Sequence, residues 1–180
     1  MLRSLKRRAE FQRKADEIYG VIVTQARQPV FYAQLGIPDT PTGRYEMVVV
    51  HLFLVLERLR GGGIDADTLA QVLVDAFVAD MDDSLRELGT GDVGVPRRVK
   101  RAAAGFYERS NDYRTALARG GGALETALAR HLAADAGDAR FSALAGYVRA
   151  AAASLAAQLP GALTEGRLSF PDPSVTKGAA

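Results

Sequence analysis

From Leu69 onward the apolar residues fall at Leu69, Val72, Leu73, Ala76, Phe77, Met81, Leu85 and Leu88, the three-and-four spacing that keeps one helical face against a core. Gly89 ends the run. Val99, Ala103, Phe106, Tyr113 and Leu117 repeat the spacing more loosely, and 17 alanines between residues 114 and 159 give two further segments of high helix propensity divided at Gly137. Residues 44–60 are ambiguous, because Val48-Val49-Val50 and Phe53-Leu54-Val55 favour a strand while the seventeen-residue length does not. Thr40 as a cap, Pro41 in the first turn and Gly61 after the last decide for a helix. It is apolar nearly all round, which suits the middle of a bundle. The pattern therefore predicts an all-α, single-domain bundle of about six helices around a central apolar helix, 44–60. Residues 1–17 read as a basic amino-terminal arm, 18–160 as the helical body, and 161–180 as a flexible tail with Phe170 as its one anchor.

The length of 180 residues suits one domain, and 48% apolar residues suffice for its core. The absence of cysteine excludes disulfides, thiolate metal sites and cysteine nucleophiles. Two histidines, with no serine at a spacing that suggests a triad, leave no catalytic set. His51, Glu57, Arg58 and Arg60 interrupt the most hydrophobic run, so nothing reaches the length of a membrane span. The start, MLRSLKRRAEFQRK, is basic like a signal peptide but lacks the apolar stretch that should follow, which predicts a cytoplasmic protein.

A net charge of +2 conceals a segregation. Residues 1–14 carry six basic side chains and one acid, residues 65–92 eight acids and one arginine, and residues 97–119 seven basic side chains and two acids. Such faces either pair within the bundle or meet a partner. Arg3, Lys6, Arg7, Arg8, Arg97, Arg98, Lys100 and Arg101 form a candidate basic surface for anionic lipid or ribosomal RNA. Asp75, Asp80, Asp82 and Asp83 form a candidate electrostatic docking face. The same aspartates invite comparison with the magnesium helices of all-α isoprenoid synthases, but no second metal motif accompanies them, and Arg86 is placed to pair with Asp82 and Asp83. No metal or cofactor is expected.

His51 lies seven residues from both Arg44 and Arg58 on one helical face, and reads as a buried, hydrogen-bonded side chain. His131, in an alanine-rich helix, reads as a surface residue. An arginine in so greasy a helix needs a carboxylate, so Arg44 is expected to meet Asp39 or an acid of the acidic helix, while Glu46 and Glu57 align on the opposite face. Ten of the thirteen Phe and Tyr residues lie before residue 114. Most belong to the core, but Phe31 and Tyr32, just after Pro29, suit the lining of an apolar groove for an incoming peptide.

The run Ile22-Val23-Thr24-Gln25-Ala26-Arg27-Gln28-Pro29-Val30-Phe31-Tyr32, then Gly36-Ile37-Pro38-Asp39-Thr40 and Gly43-Arg44-Tyr45-Glu46-Met47 with His51, resembles the ubiquinol-cytochrome c chaperone family. Asp75, Phe77, Asp80-Met81-Asp82, Leu85-Arg86-Glu87, Gly89, Gly91-Asp92, Val95-Pro96, Phe106-Tyr107 and Tyr113 follow in order, so the likeness covers roughly residues 18–118. It implies a non-enzymatic assembly factor for respiratory complex III that attends newly made cytochrome b. It also implies contact with the ribosome, a small partner protein, and peripheral placement at the inner face of the inner membrane, as in a bacterial member. Phe31, Tyr32, Tyr45, Phe106 and Tyr107 are then candidate client-binding residues, and Asp39, Arg44, Glu46 and His51 a structural polar cluster. Two competing readings are a magnesium-dependent enzyme acting on an isoprenoid diphosphate, which magnesium titration would detect, and a ribosome- or RNA-binding module, whose affinity would fall steeply with salt.

Overall fold

In the structure, a computed structural model describing residues 2–87, 95–132, 138–159 and 161–175, the ambiguous apolar stretch is a helix, Pro41–Leu59. The Thr40 side chain accepts a hydrogen bond from the Gly43 amide at 3.1 Å, capping its first turn. Every residue from Glu46 to Val55 is buried. Burial on all sides outweighs the strand preference of its valines, because a helix satisfies its backbone internally wherever it is enclosed. Gly43 allows a close approach, since a Cβ there would stand 2.0 Å from the Pro38 carbonyl oxygen.

The helices are α1 (Leu2–Ala26), α2 (Pro29–Ala33), α3 (Pro41–Leu59), α4 (Ile64–Glu87), α5 (Val95–Arg119), α6 (Ala123–Leu132) and α7 (Ala139–Ala157), followed by a 3-10 turn at Leu163–Glu165. Among the described residues the fold is all-α, with six helices of ten residues or more and the single turn α2. Helices α1, α4, α5, α6 and α7 all pack against α3. The buried positions of α4, Ala66, Leu69, Leu73 and Phe77, follow the predicted stripe. Leu88, Gly89 and Gly137 lie outside the described residues.

Two boundaries differ from the sequence reading. The basic arm is not separate from the body, because residues 2–26 form one helix whose Phe11, Ala15, Ile18, Ile22 and Ala26 are buried at helical spacing. Arg7 of α1 pairs with Asp65 at the start of α4, and the Tyr19 hydroxyl donates to Asp80 at 2.9 Å, so α1 and α4 run in the same direction. Part of the segregated charge is thus paired inside the bundle. The tail, in turn, has more anchors than Phe170. Leu163 and Pro173 are buried, Gln158 exchanges two hydrogen bonds with the Ser169 backbone, and Gln25 donates to the Pro171 carbonyl at 3.1 Å.

Candidate functional site

A five-residue helix cannot hold itself in water, so α2 depends on its surroundings. Pro29 opens it where a missing N–H is harmless. The Phe31 ring is driven fully into the core, 4.9 Å from Tyr147 and 5.4 Å from His51 between ring centroids. Gly36, with φ of 76°, turns the chain so that the Ile37 amide reaches the Phe31 carbonyl at 3.1 Å. Tyr32 faces the other way, its hydroxyl donating to the Ala26 carbonyl at 2.7 Å and its ring half-buried.

These constraints create a cleft of about 430 Å³ lined by Arg27, Pro29, Tyr32, Ala33, Asp39 and Arg44. The Arg44 guanidinium bonds Asp39 at 2.7 Å and stands 6.0 Å from the Tyr32 ring centre. That bond holds the Asp39 carboxyl below its usual range, and burial pushes the Tyr32 hydroxyl up. Arg27 is exposed and has no carboxylate partner among the described residues. The cleft therefore joins an apolar wall to an edge with two cations and one anion.

Behind the cleft lies a buried polar chain. His51 is fully enclosed, with Nδ1 2.7 Å from the Met47 carbonyl and Nε2 2.8 Å from the Tyr147 hydroxyl. The carbonyl fixes Nδ1 as donor, so Nε2 accepts from Tyr147, whose oxygen accepts from the Gln25 amide at 3.0 Å. Burial draws the imidazole down to about 4 from 6.5, with the Met47 bond opposing. Between those values the unfolded chain takes up a proton that the folded chain refuses. Stability is therefore complete above about pH 6.5 and falls as acid is added, by about 2 kcal/mol from pH 7 to pH 5. Denaturant titration should find this slope in the wild type and not in His51→Gln; equal slopes would show that His51 is not held neutral.

The structure does not assemble the predicted polar cluster. Asp39 and Arg44 pair at the surface, His51 bonds Tyr147, and Glu46, 1% exposed, meets Arg109 of α5 in bonds of 2.9 and 3.0 Å. Burial pushes the Glu46 carboxyl up against the opposing influence of Arg109. His131 is corrected from the surface to a largely covered position, 3.0 Å from Asp112 and edge-on to Tyr113.

The predicted client aromatics are likewise divided. Phe31 and Phe106 are core side chains, so neither lines a surface groove, because each completes an aromatic contact inside the bundle. Tyr45 is half-buried and stacked on Phe77 at 6.0 Å, while Tyr107 is 59% exposed. Asp75 accepts from Gln71 at 2.9 Å and Asp80 from Tyr19, and Asp82 is half-buried. Among the described residues no three histidine, aspartate or glutamate side chains converge on a metal position.

Lys6, Arg7, Arg8 and Lys100 are exposed; the side chains of Arg3, Asp83, Arg97, Arg98 and Arg101 lie outside the described ones.

Sequence reasoning missed Arg27, Arg109, Tyr147 and Gln25. Tyr147 lies 96 residues from His51 and carries no local pattern that links the two.

A family model described as ubiquinol-cytochrome C chaperone matches residues 33–170. The crystal structure of the Cbp3 homolog from Brucella abortus is similar to this chain, with 40% identity, coverage of 97% of this chain and 98% of that one, and a TM-score of 0.85. No curated protein matches the chain.

Proposed function

The chain belongs to the ubiquinol-cytochrome c chaperone family, and from that premise we propose that it holds newly made cytochrome b during assembly of ubiquinol-cytochrome c reductase, acting by binding and not by catalysis. The observation that carries the reading is the α2–α3 cleft. Its Pro29, Ala33 and Tyr32 wall suits an apolar side chain of an unassembled segment, and Arg27 suits a carboxylate or carbonyl beside it. Its frame is rigid, since Phe31 and the Thr40 cap fix the backbone on both sides. A preformed cleft loses little entropy when it is filled.

On this reading Asp75 and Asp80 of α4 meet basic residues of the client and set its orientation. Lys6, Arg7 and Arg8 offer ribosomal RNA or an anionic membrane surface a contact at the opposite end of α1 from Arg27. Client and ribosome, and a small partner protein if one is required, then use separate surfaces. Among the described residues no helix is long and apolar enough to cross a membrane.

Affinity capture from cells making cytochrome b tests the reading. Tagged wild-type chain should recover cytochrome b, and Arg27→Glu combined with Tyr32→Ala should recover at least about tenfold less, equivalent to about 1.4 kcal/mol of binding. Equal recovery by a variant of unchanged melting temperature contradicts the assignment of the cleft.

A further inference from the structure

After α7 the chain turns through the 3-10 turn at Leu163–Glu165, which packs on α1 and α4, and then passes Gln158, His51 and Gln25 without regular secondary structure. Leu168 and Phe170 are partly buried while Arg167 and Ser169 are exposed, the period-two pattern of an extended peptide lying on a surface. Beneath it are α3, through an edge contact of 5.0 Å between Phe170 and His51, and the flanking helices α1 and α7.

The way this segment is held is unlike the rest of the fold. From Leu168 to Pro171 no backbone hydrogen bond to another backbone group is made among the described residues. Two glutamines hold the main chain instead. The Gln158 amide donates to the Ser169 carbonyl at 2.7 Å and accepts from the Ser169 N–H at 3.3 Å, and Gln25 donates to the Pro171 carbonyl at 3.1 Å. A primary amide that both donates to and accepts from one residue's backbone recognises an extended chain whatever its side chains are. A stretch whose apolar side chains are only partly buried and whose main chain is held by side chains, as from Leu168 to Pro171, opens locally before the core does.

We propose that residues 168–171 are a displaceable strap, occupying in cis a groove between α1 and α7 that accepts an extended segment of another polypeptide. The occupant has two apolar side chains two residues apart, with an uncharged residue between them, as in Leu168-Ser169-Phe170. Gln158 and Gln25 read its backbone, and its second apolar side chain covers the edge of His51. This groove is distinct from the α2–α3 cleft, and the proposal stands without the cytochrome b reading.

The test uses the full chain and a fluorescent synthetic peptide of residues 166–175. Leu168→Ala with Phe170→Ala loosens the strap and leaves the groove intact, so the peptide should bind this variant at least about tenfold more tightly than the wild type, the gain expected when a competing closed state is removed. Adding Gln158→Ala should abolish the gain. Equal binding to wild type and variant, or binding to neither, overturns the proposal. A concentration-dependent wild-type dimer that Phe170→Ala dissolves assigns the groove to a second copy's tail and overturns it as well. If the loosened variant does not fold, hydrogen exchange of the wild type decides: the Ser169 amide should exchange at least about 100-fold faster than those of Val49–Leu52. Exchange at the same rate overturns the proposal. No cytochrome b is needed, so failure here is distinguishable from failure of the client reading.

Discussion

Arg109→Met lowers the free energy of unfolding by about 3–5 kcal/mol, because it leaves the Glu46 carboxylate in the core without its counter-charge. For a chain of this length that is a fall in melting temperature of roughly 6–20 °C. The loss comes from the stranded charge and not from the worth of the pair. Removing both partners, in Glu46→Met with Arg109→Met, should therefore restore most of the stability. Thermal and denaturant unfolding of the two single variants and the double variant give the cycle. A single-variant loss below about 1 kcal/mol would mean that water reaches Glu46 in the folded chain.

Phe31→Ala is the second large effect, about 3–5 kcal/mol, the range for emptying a buried phenylalanine site. The ring is fully enclosed and meets both Tyr147 and His51 edge-on, so its removal opens a cavity beside the buried hydrogen-bonded chain. Unfolding should become easier, and the loss of His51 packing should appear in the same measurement as a change in the acid slope. A loss below about 1 kcal/mol would place the ring outside the core. The consequence for function is practical: Phe31 reports on folding, whereas Tyr32 and Arg27 report on the cleft.

The central helix was legible because its cap, its first-turn proline and its unbroken apolar run all state the same thing about a segment that can be buried only as a helix. The stripe on α4 was legible for a similar reason, since side chains three and four apart share a face by geometry alone. Family membership was legible from the ordered residues between Ile22 and Tyr113. The site was not. Asp39 could be named for Arg44, five residues away, but the partners of Glu46 and His51, Arg109 and Tyr147, come from α5 and α7. Such pairings depend on how helices pack, and periodicity on one helix carries no information about them. Phe31 and Tyr32 show the same limit, because adjacent aromatics on a single helical turn point about 100° apart, one to the core and the other to the cleft. The attachment of the tail went unseen because two glutamine side chains hold it, and glutamine has no pattern that announces a backbone partner.

On the proposed function, the α2–α3 cleft meets cytochrome b directly. A photoreactive amino acid in place of Ala33, which is exposed and lines the cleft, tests this in membranes that are synthesising cytochrome b. Illumination should join the chain to cytochrome b, while the same group in place of Thr126, exposed on α6, should give no such product. A folded protein that yields no cytochrome b adduct from position 33, or the same yield from both positions, contradicts the account.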